Sequence, residues 1–555
     1  MPIKTTNPGP ILPTTLLFMV TEALVTLCTS AFTLMLDYTP LWLPPAKGGR
    51  IIRNFAIDYK LITEDNSLGR EEMTNPIKFG TDGWRGVIAE DFTFENVRIC
   101  SQGVADYLKK SELSQNGLVI GYDTRFASED FAAAAAEVIA GNNIKVHLCL
   151  KAAPTPVVSY TVPATRSAGA IIITASHNPG SWNGFKYKSQ EGASASGEIT
   201  GEIEKHIAHL TQTLSLQGRG LGEGVRKLAL DKALKKGLID YLDPSPAYFK
   251  QLNQLINIKE LRRQKLKIIV DPMYGAGSGY FKTLLQGGNV EVSEINAERN
   301  PWFPEIQPEP IAKNLTKLSR LVVEQKADVG LATDGDADRI GIIDEKGSFL
   351  NQHQVFALLC LYLLEVHGEQ GAIVKTLTST NMLSLLGKIF GVPVYETPVG
   401  FKYVAPVMLQ ENAIIGGEES GGYGFRGHIP ERDSILAGLY FLDFMVKTRK
   451  TPSQLLDYLY SKVGPHYYDR IDSHLSQGKR QAIIEQLTST SPNTIAEAKV
   501  VKVDTTDGFR FFLADDSWLL IRFSGTEPLV RLYAEAKSLE KARKLLYEGK
   551  KLIGV

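Results

Sequence analysis

After Met73 the chain repeats one plan three times: a short apolar segment typical of a β-strand, a polar turn, a helical pattern and a second strand. Strands that alternate with helices in this order are typical of parallel β-sheets with helices on their faces. The repeats are spaced by roughly 100–150 residues, which is too long for a solenoid and predicts three related α/β domains. The three units cover residues 118–148, 267–295 and 372–396.

The last part of the chain has a different pattern. Four strands are predicted over residues 500–503, 508–513, 517–523 and 529–534, followed by a charged helix over 539–552. Strands this close together are typical of an antiparallel sheet, so this part is predicted to be a smaller α+β domain. Turn-rich or proline-rich stretches near Leu242, Gly347 and Val463 separate the units. The predicted boundaries are 1–75 (an extension), 76–242, 243–348, 349–462 and 463–555.

The first 72 residues do not share this pattern. Glu22 is the only charged residue between Thr5 and Leu36, and residues 16–36 are about long enough to cross a bilayer. Three interpretations are open: a membrane anchor, a secretory signal, or a segment outside the working enzyme with translation starting at Met73. We favour the third, which an intact mass of the native protein would test.

Charge and cysteine content limit the partners. Lys and Arg total 61, as do Asp and Glu, so the chain has no formal net charge. Nucleic-acid and anionic-membrane binders usually carry an excess of basic residues, and we expect neither partner. The four cysteines include no C-x-x-C pair, which favours a reducing, cytoplasmic location.

The first candidate motif, residues 171–179, is an apolar strand that ends in a polar turn carrying Ser176. A serine hydroxyl is a weak nucleophile unless a base, a metal ion or fixed hydrogen-bond donors assist it. The alternative is a simple turn at the end of a strand, with Pro179 stopping the strand.

The second motif places Asp334, Asp336 and Asp338 on alternate residues. Three carboxylates this close need a cation, and oxygen ligands favour Mg²⁺ or Ca²⁺. An EF-hand is excluded because Arg339 occupies the position where its loop requires glycine, and because both flanks are predicted strands. We therefore predict a divalent-metal site between two strands; a solvated acidic turn is the alternative.

The third motif, residues 416–422, surrounds Glu418 and Ser420 with glycines. Glycine allows the backbone to approach a ligand closely, and carboxylates accept hydrogen bonds from hydroxyls such as those of a sugar. A flexible surface loop would explain this motif equally well.

The fourth motif, residues 522–528, contains Arg522, Ser524, Gly525 and Thr526, with Arg531 shortly after it. Arginine forks, hydroxyls and free backbone N–H groups at a turn can hold an anion. The alternative is a hairpin turn with exposed arginines.

These four motifs in this order, together with residues 78–86 (KFGTDGWRG), resemble the α-D-phosphohexomutase family, which includes phosphoglucomutases and phosphomannomutases. The resemblance extends from about Pro76 to the C-terminus. It implies four domains around a central cleft, three of them related α/β domains and the last α+β. It also implies an isomerase that transfers a phosphoryl group within a sugar phosphate.

The resemblance implies a role for each matching residue. Ser176 matches the phosphoserine, and a phosphate oxygen on it joins Asp334, Asp336 and Asp338 around Mg²⁺. Lys186 and His428 match positions linked to acid/base chemistry, together with a catalytic Arg85 that contacts phosphate. Substrate binding is assigned to Arg339, Lys402, Glu418, Ser420, Arg522, Ser524, Gly525, Thr526 and Arg531.

The implied activity is that of a phosphoglucomutase, with Mg²⁺ as cofactor and glucose 1,6-bisphosphate as intermediate and activator. Three alternatives are a phosphomannomutase or dual-specificity enzyme, a relative that produces glucose 1,6-bisphosphate, and, from another class, an inactive or calcium-binding protein. Sugar phosphates are the expected partners, and monomer and weak dimer both stay open.

Overall fold

The computed structural model describes residues 77–80, 82–216, 224–304, 306–475, 477–489, 492–523 and 529–554. The predicted extension, with its apolar segment, lies outside these residues. Among the helices that are described, none is both long enough and apolar enough to cross a bilayer.

The first domain is built on a six-stranded sheet. Its strands are β1 (Trp84–Val87), β2 (Leu118–Tyr122), β3 (Val146–Cys149), β4 (Ala170–Ile173), β5 (Trp182–Lys188) and β6 (Ile239–Leu242). The strand order is β1-β5-β4-β2-β3-β6, with β2, β3, β4 and β6 parallel and the β5–β1 edge antiparallel. Its helices are α1 (Phe94–Lys110), α2 (Ser128–Gly141), α3 (Thr155–Thr165), α4 (Gly197–Leu216) and α5 (Leu230–Lys235).

The parallel strands of this sheet are buried on both faces, and their sequences are nearly continuous apolar runs for that reason. One face packs against a core that includes Ile120 and Ile171, and the other packs against a core that includes Val119 and Ile172. The polar turn after β4 is thereby placed at the carboxyl edge of the sheet, where ligands bind in open α/β sheets.

The second domain contains a five-stranded sheet ordered β11-β10-β9-β7-β8. Its strands are β7 (Lys267–Asp271), β8 (Glu291–Glu294), β9 (Val329–Thr333), β10 (Ile340–Ile343) and β11 (Phe349–Leu350). Its helices are α6 (Ser245–Leu255), α7 (Ile258–Arg262), α8 (Tyr280–Leu285) and α9 (Thr316–Glu324). Strands β9 and β10 are antiparallel neighbours, so the predicted pair of strands around the aspartate motif is confirmed.

The third domain has a four-stranded sheet, ordered β13-β12-β14-β15. Its strands are β12 (Ile373–Thr376), β13 (Val394–Thr397), β14 (Ile415–Gly417) and β15 (Tyr423–Phe425). Its helices are α10 (Gln352–Leu361), α11 (Met382–Phe390), α12 (Phe401–Gln410), α13 (Ser434–Thr448) and α14 (Pro452–Val463), and a π-helical turn, Tyr362–Val366, follows α10.

Helix α13 joins the second and third domains into one hydrophobic core. Asp433 caps the helix by accepting hydrogen bonds from the backbone N–H groups of Ile435 and Leu436. Gly438 allows the close approach, because a Cβ there would lie 2.6 Å from the Phe281 ring of the second domain. This packing holds the loop of the third domain beside the aspartate loop of the second.

The fourth domain is an antiparallel sheet ordered β16-β21-β20-β19-β18-β17. Its strands are β16 (Tyr467–His474), β17 (Thr494–Ile495), β18 (Ala498–Asp504), β19 (Phe509–Leu513), β20 (Trp518–Phe523) and β21 (Leu529–Ala536). Helices α15 (Gln477–Ser489) and α16 (Leu539–Ile553) complete it. The antiparallel strands and the C-terminal helix that the sequence predicts are confirmed, and β16 is an additional edge strand.

Candidate active site

Ser176 lies in the turn that follows β4 and is 1% exposed. Its Oγ donates a hydrogen bond to Asp334 Oδ2 at 2.8 Å, which brings the serine loop of the first domain to the aspartate loop of the second. The Nδ1 atom of the next residue, His177, lies 3.5 Å from the same hydroxyl. Burial lowers the pKa of His177 well below its usual range, so this ring is neutral.

The aspartate loop connects β9 to β10. Asp334 Oδ1 accepts hydrogen bonds from the backbone N–H groups of Asp338 and Arg339, which closes the turn and directs the three carboxylates to one side. One ligand oxygen from each of Asp334, Asp336 and Asp338 lies within 4.8 Å of the others, and all three side chains are buried. Burial, together with Asp338 and Asp336, raises the pKa of Asp334 well above its usual range.

The residues of this loop fit a divalent cation. Asp336 Oδ1 and Asp338 Oδ1 accept no hydrogen bond from any residue that the structure describes, although both atoms are buried. Buried carboxylate oxygens without a donor are unusual, and an oxygen-only set is what Mg²⁺ and Ca²⁺ prefer. The carboxylates of Asp334, Asp336 and Asp338 are therefore positioned to hold the metal ion.

Lys186 reaches the same cluster from β5. Its Nζ lies 2.6 Å from Asp82, 2.8 Å from Asp336 and 3.5 Å from Asp338. Burial alone would lower the pKa of Lys186, but these carboxylates raise it, so the ammonium stays charged. The site thus contains a fixed positive charge next to the serine and the aspartate loop.

Arg432 connects the aspartate loop to the loop that contains Glu418. Its guanidinium lies 2.8 Å from Asp338, 2.6 Å from Asp82 and 3.2 Å from Glu418. These three carboxylates come from the second, first and third domains respectively. Arg432 is 4% exposed, so each of these ion pairs is shielded from water.

Glu418 and Ser420 follow β14, and Glu418 contacts this cluster through Arg432. Burial raises the pKa of Glu418 to about 7, and Arg432 opposes that shift. Ser420 Oγ is buried and forms no hydrogen bond within the described part of the chain. Both side chains therefore have hydrogen-bonding capacity available for a polar ligand.

Three further predicted residues line the same region. Arg85 is half-buried, and its Nη1 donates to Oδ1 of Asn178, two residues after Ser176, at 2.6 Å. Arg339 lies 3.8 Å from Asp338 and 3.6 Å from Glu309. Lys402 comes from the third domain and donates to the carbonyl oxygen of Gly80 at 3.3 Å.

His428 is not brought to this cluster. Its Nε2 lies 3.0 Å from Asp433, and its ring stacks on Tyr160 with centroids 5.5 Å apart. Asp433 also accepts a hydrogen bond from Tyr248, so His428 belongs to a buried polar group around the start of α13. In the sequence, His428 follows the Glu418 motif closely. In the structure, however, its ring packs against Tyr160 and beside Asp433.

The fourth domain supplies Arg522 and Arg531. Arg522 Nε donates to Asp507 at 2.9 Å, and Arg531 lies 3.6 Å from Asp472. The two arginines are directly opposite each other on β20 and β21. The predicted loop residues Ser524, Gly525 and Thr526 lie outside the described residues.

Several residues of the site were not predicted from the sequence. Asp82 occurs inside the quoted segment 78–86, and that was its available signal, whereas Arg432 lies outside the quoted motifs, ten residues after the third. Thr155, whose Oγ1 donates to Asp336 at 2.6 Å, and Lys188, which lies 2.6 Å from Glu431, have no motif that marks them.

Comparison with known proteins gives four matching family models, which cover most of the chain in order. All are models of phosphoglucomutase/phosphomannomutase: α/β/α domain I over residues 76–214, domain II over 246–347, domain III over 351–463 and the C-terminal domain over 479–548.

Three similar proteins illustrate the match. A phosphoglucomutase/phosphomannomutase of Thermococcus kodakarensis is 32% identical over 475 residues, which cover 86% of this chain and 98% of that protein. A probable phosphoglucosamine mutase of Methanothermobacter thermautotrophicus is 30% identical over 84% of this chain and 96% of its own length. The solved structure of a Thermus thermophilus protein with a provisional phosphomannomutase assignment has a TM-score of 0.74 and 34% identity, covering 87% of this chain and all of that one.

Proposed function

This chain belongs to the phosphoglucomutase/phosphomannomutase family of isomerases, and we propose that it interconverts glucose 1-phosphate and glucose 6-phosphate through a phosphoserine at Ser176. One observation carries the proposal. The Ser176 hydroxyl lies 2.8 Å from a buried aspartate cluster, and Lys186, Arg432 and Glu418 converge on the same group of residues. A nucleophile, fixed cations and hydrogen-bond acceptors for a sugar are thus present together.

The proposed reaction consists of two transfers, each of a different phosphoryl group. Phosphorylated Ser176 transfers the group to O6 of glucose 1-phosphate, which breaks the bond between Oγ and phosphorus and forms glucose 1,6-bisphosphate. The bisphosphate then reverses its orientation, and Ser176 takes the phosphoryl group from O1. Glucose 6-phosphate leaves, and the enzyme is phosphorylated again.

The residues of the site divide this work. The charged Lys186 ammonium and the Arg85 guanidinium stabilise the negative charge on the transferring group. Glu418 and Ser420 bind sugar hydroxyls, and Arg432 keeps Glu418 in register with the aspartate loop. Because Lys186 is held protonated, its ammonium can donate a hydrogen bond to the departing oxygen and stabilise the charge there, and we assign this contact to Lys186 rather than to His428, whose ring is paired with Asp433.

The three aspartates hold Mg²⁺ in this proposal. When bound, the ion neutralises charge that develops on the phosphoryl oxygens beside Ser176. Arg522, Arg531 and the loop residues Ser524, Gly525 and Thr526 hold the phosphate that does not react, assisted by Lys402 and Arg339 at the edge of the cleft.

Mannose 1-phosphate is the second candidate substrate, since relatives of this chain include an enzyme named for both sugars. Glucosamine 1-phosphate is a third, named for another relative. We favour glucose because the Glu418-Glu419-Ser420 segment resembles the glucose-type loop more than the glucosamine-type pattern, which contains glutamine. An enzyme that releases glucose 1,6-bisphosphate as its main product would use the same residues.

We also propose that the enzyme works in the cytoplasm on small sugar phosphates. Cys100, Cys149 and Cys360 are buried, and none forms a disulfide among the described residues. Buried free thiols agree with a reducing compartment.

The test is a substrate panel. Glucose 1-phosphate, mannose 1-phosphate and glucosamine 1-phosphate are each assayed for 6-phosphate formation, with and without added glucose 1,6-bisphosphate. We expect the highest kcat/KM for glucose 1-phosphate, and stimulation by the bisphosphate. A higher kcat/KM for another sugar phosphate would make that sugar the substrate. Accumulation of the bisphosphate would indicate an enzyme that produces it, and no turnover at all would indicate an inactive protein.

A further inference from the structure

Behind the Ser176 loop lies a buried ion pair, Asp123–Arg125, with both side chains 0% exposed. The Arg125 guanidinium uses all five of its N–H groups. Nε donates to Asp123 at 3.1 Å, and the four other N–H groups donate to backbone carbonyl oxygens of the serine loop. These acceptors are the carbonyls of Ser176 (2.7 Å), Asn178 (2.6 Å), Pro179 (2.7 Å) and Trp182 (3.0 Å).

The same ion pair reaches Ser176 from its other side. Asp123 Oδ2 accepts a hydrogen bond from Thr174 Oγ1 at 2.6 Å, and Thr174 Oγ1 accepts one from the backbone N–H of Ser176 at 2.9 Å. Both backbone polar groups of Ser176 are therefore held, the carbonyl by Arg125 and the N–H through Thr174.

Ser176 needs this support because its φ is +53°. Residues with a side chain rarely adopt this left-handed conformation, and they keep it only where the surroundings impose it. The aspartate loop packs directly on the same carbonyl, since a Cβ at Gly335 would lie 2.4 Å from Ser176 O. The direction of the Ser176 side chain is thus set by backbone contacts and not by the hydroxyl itself.

We propose that Arg125 and Thr174 form a clamp that positions Ser176 for phosphoryl transfer. They are positioning residues, because their contacts are with the backbone of the loop and with Asp123. The proposal rests on the proposed role of Ser176. A lysine cannot replace the arginine fully, since an ammonium has three donors and no planar fork.

The experiment measures phosphoryl transfer to Ser176 directly. Dephosphorylated enzyme is mixed with ³²P-labelled glucose 1,6-bisphosphate, and labelling of the protein is followed in single-turnover quench-flow. For Arg125→Lys we expect the transfer rate and kcat to fall about 10- to 100-fold, since a small misplacement of a reacting group has effects of this size. We expect KM for glucose 1-phosphate to stay within about threefold, because the sugar contacts are unchanged.

Arg426→Lys is the matched control. Arg426 also donates to two backbone carbonyls, Gln370 O and Asn412 O, and pairs with Glu369, but it lies outside the site. We expect its transfer rate to equal that of the wild type. A transfer rate for folded Arg125→Lys that equals the control would overturn the clamp.

A second pair of variants keeps the test decisive if Arg125→Lys does not fold. Thr174→Val removes the hydroxyl that links Asp123 to the Ser176 N–H, whereas Thr174→Ser retains it. We expect Thr174→Val to slow labelling about tenfold and Thr174→Ser to restore it. Equal rates in the two variants would overturn the clamp, whereas wild-type enzyme that takes no label on Ser176 would overturn the proposed function instead.

Discussion

The two regions that are proposed to bind phosphate are built in opposite ways. Around Ser176, the cations are buried and fixed by several carboxylates each, as the side chains of Lys186 (1% exposed) and Arg432 (5% exposed) show. In the fourth domain, the side chains of Arg522 and Arg531 are 12% and 25% exposed, and the two residues are paired across neighbouring strands. Like charges placed directly opposite destabilise a sheet unless an anion binds between them.

This difference follows from what each region does in the proposed cycle. Transfer of a phosphoryl group requires the reacting atoms to be held to within a fraction of an ångström. For this reason each charged side chain near Ser176 is held by several partners. The other phosphate does not react and is only bound, and it is attached to either end of the sugar. Arginine side chains that solvent can reach are better suited to bind it in both orientations. Three predictions test this contrast, from the largest expected effect on turnover to the smallest, and a fourth concerns the stability of the fold.

The largest effect is expected for Ser176→Ala. Turnover should fall by a factor on the order of 10⁴ or more, because the group that carries the phosphoryl is removed. The fold should survive, since the clamp contacts use the backbone of residue 176. Turnover and far-UV circular dichroism are measured together; full activity in this variant would refute the phosphoserine role.

Asp336→Asn is expected to lower kcat about 10²- to 10³-fold, because the metal site loses one charge and Lys186 loses its 2.8 Å partner. The Mg²⁺ concentration for half-maximal activity should rise. Asp231→Asn, at an exposed position on α5, is the control. An unchanged Mg²⁺ dependence would count against the metal loop.

Arg522→Gln is expected to act on binding. The KM for glucose 1-phosphate should rise about tenfold with kcat within about threefold, which is the loss of one charged hydrogen bond to a phosphate that does not react. Arg543→Gln, at an exposed position on α16, is the control. A large fall in kcat with constant KM would show that Arg522 acts on phosphoryl transfer and not on binding, and this would refute the contrast between the two regions.

The last prediction concerns stability and leaves turnover at neutral pH unchanged. His353 starts the third domain near β16, and its Nδ1 accepts a hydrogen bond from Thr380 N at 3.1 Å. Burial lowers the pKa of His353 to about 4 from its ordinary 6.5. The unfolded chain therefore binds more protons between these values, so stability is complete above pH 6.5 and falls as the pH falls towards 4.

The expected loss through His353 is about 2–3 kcal/mol of unfolding free energy at pH 4. Urea denaturation at pH 7 and pH 4.5 measures it, and His353→Gln should remove this part of the pH dependence. If the unfolding free energy falls equally between pH 7 and pH 4.5 in the variant and in the wild type, other groups cause the loss of stability.

The sequence predicted those parts of the site whose residues lie close together along the chain. The aspartate loop could be read because its three ligands and both flanking strands lie within 20 residues or so, and the α/β repeats because each is a strand–helix–strand unit. The contacts of Arg432 and Arg125 could not be predicted from the sequence. Their partners are side chains from remote segments and backbone carbonyl groups, and neither kind of partner produces a sequence pattern. For His428, the family resemblance implies a role in acid/base chemistry, whereas the structure places its ring against Tyr160 and Asp433.

The shared core of the second and third domains has a consequence for engineering. A chimera that exchanges only the Glu418 domain with that of a relative would cut through this apolar packing. It would also replace Arg432 and leave its partners Asp82 and Asp338 facing a foreign domain. We therefore expect sugar preference to transfer only when the second and third domains are exchanged together. The fourth domain has a core of its own, but Leu377 of the third domain also packs against Trp518, Leu520 and Tyr533, so a recombined fourth domain has to keep this contact.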